Sequence, residues 1–166
     1  MSASDRLHFL VVPMRAKDVE ACGRIVDRAP FFRAYGASGD SVCRDMEEKL
    51  TDDTHVLRVA KHGDSLMGFA WLVRGAGFGR SGYLRFLAVS SDFQGQGVGR
   101  ALMEAVEVEE KSSGGVMLLV TSTNDEARRF YEKLGYEHVG VLPGYVKPSF
   151  DECIYWKPST GGGVGR

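Results

Sequence analysis

The stretch Tyr83-Leu84-Arg85-Phe86-Leu87-Ala88-Val89-Ser90-Ser91-Asp92-Phe93-Gln94-Gly95-Gln96-Gly97-Val98-Gly99-Arg100-Ala101-Leu102 decides the fold class. Its first part, Tyr83–Val89, is a largely apolar run of strand length, which predicts a central, buried strand. Val98, Ala101, Leu102, Ala105 and Val106 then recur at helical spacing, which predicts a helix from about Gly97 to Lys111. Between them stands the turn Gln94-Gly95-Gln96-Gly97-Val98-Gly99-Arg100. Glycine lets a backbone come close to a ligand and adopt φ values that other residues avoid. A helix N-terminus offers N–H groups without intrahelical partners and the positive end of its dipole. The junction is therefore either a tight turn that opens a helix or a pyrophosphate cradle that needs no lysine.

Two other phosphate motifs fail on the letters. A Walker A loop ends in Gly-Lys-Ser/Thr, whereas Gly99 is followed by Arg100 and Ala101. In the dinucleotide fingerprint GxGxxG the third glycine would stand one place beyond Gly99, and that motif usually opens the first strand–helix–strand unit of a chain.

A second pattern lies downstream, Asn124-x-x-Ala127-x-x-Phe130-Tyr131-x-x-x-Gly135-Tyr136. With Gln94, Gly97 and Gly99 matching Gln/Arg-x-x-Gly-x-Gly/Ala, and Leu87-Ala88-Val89 ahead of them, the chain resembles the GCN5-related N-acetyltransferases, or GNAT family. The likeness is clear over Tyr83–Tyr136 and looser over Ile25–Val73 and the C-terminal strands. It implies a single α/β (α+β) domain. Its mixed, mostly antiparallel, twisted sheet would be splayed in the middle, between Tyr83–Val89 and Val116–Thr121, with helices on both faces. It also implies acetyl-CoA as cosubstrate, lying in the V so formed, with no metal. Backbone groups of Leu87, Ala88 and Val89 would pair with the pantetheine arm. The amides of Gln94, Gly95, Gln96, Gly97, Val98 and Gly99 would hold the pyrophosphate. Asn124 would bond the pantetheine and Tyr131 would sit beside the thioester sulfur.

Amine attack on a thioester expels a thiolate whose conjugate thiol has a pKa of about 8.5, so a nearby proton donor eases its departure. A phenol at Tyr131 is such a donor, although by spacing alone Tyr131 reads as a core aromatic beside Phe130, Leu134 and Tyr136. Asn124 reads equally as a helix N-cap. Arg100 is either a phosphate contact or a solvated first-turn residue.

The acceptor amine must lose a proton, since an amine of pKa near 10.4 is mostly protonated at neutral pH. Histone-type family members place a glutamate where this chain has Tyr83. Those that acetylate the N-termini of ribosomal proteins place one where it has Leu119. Neither base is present, which counts against both substrate classes. His138, Asp151 and Glu152 remain as candidates beside a relay of water, His138 reading more simply as a half-exposed strand residue and Asp151-Glu152 as a solvated turn. In this family the acceptor site is built from the first two helices and the C-terminal loop. Here these carry Phe31, Phe32, Arg33, Tyr35 and Pro143-Gly144-Tyr145-Val146-Lys147-Pro148, whose aromatics either line an acceptor site or close the core.

Working outward, His8–Met14, His55–Lys61, Leu66–Arg74, Val116–Thr121, Tyr136–Leu142 and Asp151–Lys157 read as further strands. Asp18–Arg28, a segment from Asp40 carrying Val42, Met46 and Leu50, and Asn124–Leu134 read as helices. Pro30–Gly39, Gly75–Gly82 and Pro143–Pro148 read as loops, and Gly63-Asp64 as a tight turn. The domain is expected over 1–158, followed by a low-complexity, disordered tail over 159–166.

The chain has 166 residues, which suits one domain. Its 21 Lys plus Arg against 22 Asp plus Glu leave a net charge of -1, so nothing draws it as a whole to nucleic acid or an anionic membrane. Cys22, Cys43 and Cys153 are odd in number and far apart, which argues against a disulfide framework or zinc site and for reduced thiols in the cytoplasm. Asp5, Arg6 and His8 ahead of a short apolar run do not read as a signal peptide, and no run approaches the ~20 apolar residues of a membrane span. The expected protein is thus a monomeric or homodimeric N-acetyltransferase that transfers acetyl to a primary amine of a small molecule or to an exposed protein amine. The alternatives are a non-catalytic acyl-CoA-binding or sensing domain and a nucleotide-binding module without CoA. The second is weak, because no Lys or Asp stands where phosphates and magnesium need them.

Overall fold

A computed structural model describes residues 8–110 and 113–159. The described residues form seven strands and five helices: β1 Leu10–Pro13, α1 Ala16–Arg28, α2 Pro30–Ala34, α3 Gly39–Lys49, β2 His55–His62, β3 Ser65–Gly77, β4 Ser81–Val89, α4 Val98–Glu109, β5 Val116–Thr121, α5 Asp125–Lys133, β6 Glu137–Lys147 and β7 Phe150–Lys157. The strands make one sheet in the order β1-β2-β3-β4-β5-β7-β6. β1–β2, β5–β7 and β6–β7 are antiparallel, and β4–β5 is parallel. This mixed sheet has the predicted strand Tyr83–Val89 at its centre. The parallel ladder links Gly82, Tyr83 and Leu84 to Val116, Met117 and Leu118 and stops there, at the two strands where the sheet was expected to part.

The chain packs as two compact units, Met1–Leu72 with Phe86–Val106, and Val73–Arg85 with Glu107–Arg166. In the first, α1 buries Val19, Cys22 and Val26, and α3 buries Val42 and Met46, as their spacing predicts. The two helices approach closely at glycines. A Cβ on Gly23 would stand 2.4 Å from Cys43 Sγ, and one on Gly39 2.6 Å from the Gly23 carbonyl oxygen. Ser38 caps α3 by accepting the Ser41 N–H at 3.1 Å. Asp18 accepts the Arg15 N–H at 3.0 Å and pairs with Lys61 of β2. Leu102, Met103 and Val106 of α4 are wholly buried, so the apolar stripe gains Met103.

In the second unit α5 is tied to β7 through Tyr155, whose hydroxyl accepts from Arg128 Nε at 3.2 Å and donates to Glu132 at 2.8 Å. Glu107 accepts from the Tyr136 hydroxyl at 3.0 Å and from Lys157 at 2.8 Å.

The structure departs from expectation in four segments. Pro30–Gly39 is not a loop throughout: Pro30–Ala34 is a short helix, with proline preset at its first turn and Phe32 packed on Phe86 at 5.4 Å. Gly75–Gly82 is mostly strand, since β3 runs to Gly77 and β4 starts at Ser81, leaving a turn at Phe78-Gly79-Arg80. Pro143–Lys147 belongs to β6, whose register with β7 shifts between Leu142 and Lys147; the irregularity accommodates proline and glycine inside a strand. Asp151-Glu152 is no solvated turn: both lie in β7, and Glu152 is only 3% exposed. Strand β1 is also shorter than His8–Met14. The predicted tail lies, from residue 160 on, outside the described residues, as does Lys111 at the predicted end of α4.

Candidate active site

In the first unit β4 ends in Phe86–Val89. The Ser90 N–H donates to the Met67 carbonyl of β3 at 2.8 Å, and a single 3-10 turn follows at Ser91–Phe93. Gly95 and Gly97 take φ of +75° and +84°, the left-handed region where an L side chain is strained. A Cβ on either would meet no other atom within 4 Å, so the backbone here is open on its side-chain face. Gln94 Nε2 donates to the Val89 carbonyl at 3.5 Å and Gln96 Nε2 to the Asp92 carbonyl at 3.2 Å, which braces the turn from within.

Helix α4 starts at Val98, which is buried while Gln94–Gly97 are exposed. Ala101 donates to the Gly97 carbonyl at 3.0 Å, so the amides of Val98, Gly99 and Arg100 stand in the first turn, ahead of that bond. Arg100 is exposed. Two left-handed glycines leading into a helix N-terminus fit a pyrophosphate, because the donors are backbone groups with no side chain in front of them.

The acceptor candidates of this unit form an aromatic chain. Phe31 contacts Tyr35 at 4.9 Å and Phe32 at 5.7 Å; Phe32 meets Phe86 at 5.4 Å, and Phe86 stacks on Trp71 at 6.0 Å. Phe32 and Tyr35 are half-buried and Phe31 is 40% exposed. Phe32 packs on Phe86, while Phe31 keeps an open face. Arg33 is exposed.

In the second unit Asn124 is the N-cap of α5, its Oδ1 accepting the Ala127 N–H at 3.1 Å. That bond leaves the two Nδ2 donors uncommitted to the cap. Asn124→Ala is expected to cost about 1 kcal/mol of stability, read as a lowered Tm, from the lost cap alone. Tyr131 is 8% exposed, its ring set edge-on to Phe130 at 5.1 Å and Tyr136 at 5.6 Å. Among the described residues its hydroxyl has no hydrogen-bond partner. Burial, then the neighbouring Tyr83, push the Tyr131 phenol well above its usual range, so it stays protonated through the neutral range.

Tyr83 is itself raised by burial, then by Tyr145 and Glu152, against Arg85. Sequence reasoning did not foresee this cluster, because it depends on the β4–β5–β7 pairing. Tyr145 is 65% exposed. Of the three base candidates, His138 is exposed and lies 5.4 Å from the Tyr155 ring, and Asp151 is exposed and accepts the Gly144 N–H at 3.1 Å. Only Glu152 is buried. No group of three or more potential metal ligands is found among the described residues.

Residues 25–136 match the family model of the acetyltransferase (GNAT) family. The chain belongs to this family. Among solved structures, a GNAT-family protein from Desulfovibrio desulfuricans superposes with a TM-score of 0.80 at 22% identity, over 92% of this chain and 100% of that one. The ribosomal-protein-S18-alanine N-acetyltransferase of Escherichia coli gives 0.77 at 21% identity, over 96% and 99%. YncA from Salmonella typhimurium, solved with its cofactor acetyl-CoA, gives 0.77 at 16% identity, over 95% and 98%. At these identities the likenesses establish the GNAT fold. No helix of this GNAT chain is long and apolar enough to cross a membrane among the described residues.

Proposed function

We propose that this GNAT chain is an acetyl-CoA-dependent N-acetyltransferase that transfers the acetyl group directly from the thioester to a primary amine, in the cytoplasm. The observation that carries the reading is the pair of left-handed glycines, Gly95 and Gly97, directly ahead of helix α4. Amides of Gln94–Gly99 would hold the pyrophosphate, with Arg100 beside them, and Leu87–Val89 would offer backbone groups to the pantetheine. Asn124 would donate to the pantetheine through Nδ2.

Tyr131 is the candidate proton donor. A buried phenol is a weaker acid than a phenol in water, but a thiolate forming in the same dry surroundings is a stronger base. The donor therefore acts by hydrogen bonding to sulfur as the C–S bond breaks, then passing the proton. The amine's nitrogen forms the amide and sheds two protons. One replaces the proton that Tyr131 gives to the thiol, and the other goes to solvent.

The absence of glutamate at Tyr83 and Leu119 argues for a small-molecule amine over a histone or ribosomal-protein terminus. Phe31, Tyr35 and Tyr145, which are exposed or half-exposed, are the aromatics we assign as candidates to bind such an amine. The first test is a thermal melt. Acetyl-CoA at 100 times its Kd is expected to stabilise the fold by about 2.7 kcal/mol. A Tm unmoved by saturating acetyl-CoA sinks the reading. CoA release across a panel of amines then separates the enzyme from an acyl-CoA-binding domain: release above hydrolysis with any amine supports transfer.

A further inference from the structure

β3 carries one glycine inside its buried core, Gly68, in Leu66-Met67-Gly68-Phe69-Ala70-Trp71-Leu72. The surrounding residues Met67, Phe69, Ala70, Trp71 and Leu72 are fully buried, so a side chain at 68 would be expected on hydrophobic grounds. Glycine weakens a strand interior and marks a close approach of another backbone. Here the approaching backbone is the end of β4. A Cβ on Gly68 would stand 2.6 Å from the Ala88 carbonyl oxygen, 3.2 Å from Val89 Cα and 3.3 Å from Leu102 Cδ1.

Carbon–oxygen contacts settle at about 3.3–3.6 Å, so a methyl at 68 requires the Ala88 carbonyl to retreat by more than half an ångström. The Leu102 contact is the end of a flexible side chain and yields more easily. The same strand end is held from two other directions. Met67 accepts the Ser90 N–H at 2.8 Å, and Gln94 reaches back to the Val89 carbonyl at 3.5 Å. Ala88–Ser90 is therefore set against β3 with Gly68 at the point of closest approach.

We propose that Gly68 is a positioning residue for the acyl donor: having no side chain, it lets β3 hold the Ala88–Val89 backbone where β4 meets the pantetheine arm of coenzyme A. This rests on the proposed use of acetyl-CoA. Strand-type pairing to a ligand is sensitive to misplacement of this size, because both hydrogen-bond length and direction change together. Gly68 touches neither the thioester nor the phosphates in this scheme. Its effect is thus expected to fall mainly on the part of the donor that lies along β4.

The test compares two ligands on the full chain. Acetyl-CoA carries the pantetheine arm. 3′-phosphoadenosine 5′-diphosphate carries the adenosine and pyrophosphate and lacks that arm. Calorimetric titration of Gly68→Ala, well below its Tm, is expected to show acetyl-CoA weakened about tenfold or more, with the nucleotide half within about twofold of the parent. Equal weakening of both ligands, or acetyl-CoA unchanged, overturns the proposal. Should Gly68→Ala not fold, Gly68→Ala combined with Leu102→Val makes room on the Leu102 side only and is expected to show the same asymmetry. If that variant also fails to fold, Gly68 is a packing residue alone and the proposal falls. A parent chain that binds neither ligand overturns the donor assignment itself, and this proposal with it. A parent that binds both, with a variant that binds both equally well, overturns only the role of Gly68.

Discussion

Tyr131→Phe is expected to lower kcat about 100-fold while leaving acetyl-CoA affinity and Tm nearly unchanged. The ring contacts with Phe130 and Tyr136 survive the change, because only the hydroxyl is removed. That hydroxyl has no hydrogen-bond partner among the described residues, so its loss strands no buried group. What disappears is a proton donor to the leaving thiolate, and general acid help of this kind is worth roughly 10²–10⁴ in rate. A hundredfold loss corresponds to about 2.7 kcal/mol of transition-state stabilisation.

Burial and Tyr83 raise the phenol above its ordinary value, so the donor form persists as pH rises through neutrality and the variant's deficit holds constant there. The deficit should shrink with an acyl donor whose leaving thiolate is less basic. The measurement is kcat and acetyl-CoA affinity for both proteins with an acceptor found in the amine panel. A kcat within twofold of the parent removes Tyr131 from the mechanism and favours a binding domain.

Gly97→Val is expected to weaken acetyl-CoA by about 100-fold or more in a chain that still folds. Valine at φ +84° is strained, by about 1–2 kcal/mol, because the left-handed region brings Cβ against the backbone. Its Cβ meets no other protein atom within 4 Å, so the fold has no clash to resolve. The site does have one. The side chain stands in front of the amides that lead into α4, and relief of the strain turns those amides away. Each charge-assisted bond to a phosphate is worth roughly 1.5–3 kcal/mol, so losing one or two accounts for the effect.

Gly63→Val is the matching control. Gly63 has φ +58° and an equally open Cβ position, and it lies in the β2–β3 turn, outside the proposed site. It should lower Tm comparably and leave the Kd for acetyl-CoA unchanged. If Gly97→Val folds and binds acetyl-CoA as the parent does, the pyrophosphate is held elsewhere.

The amino-acid sequence by itself determined the features that arise within one stretch of chain. The strand Tyr83–Val89, the glycine turn and the helix from Val98 are neighbours in sequence, and each follows from local propensity and spacing. Asn124 as the cap of α5 and Gly135, with φ +89°, at its end are equally local.

Tertiary structure decided what depends on partners distant in sequence. Pro143–Lys147 is rich in turn-forming residues, yet it lies within β6, because Leu142 and Lys147 at its two ends pair with Glu152 and Phe150 of β7. Asp151-Glu152 reads as polar, but the β5–β7 register sets Glu152 opposite Thr121 and buries it. Tyr83 is far from Tyr131 in the chain, and packing brings it near enough to help push the Tyr131 phenol up. Gly68 looks like a weak point in a strand until the Ala88 carbonyl lies against it. Backbone propensity and capping are settled by energies within a few residues, whereas burial and close approach are settled by which strand lies alongside, and no local pattern contains that choice.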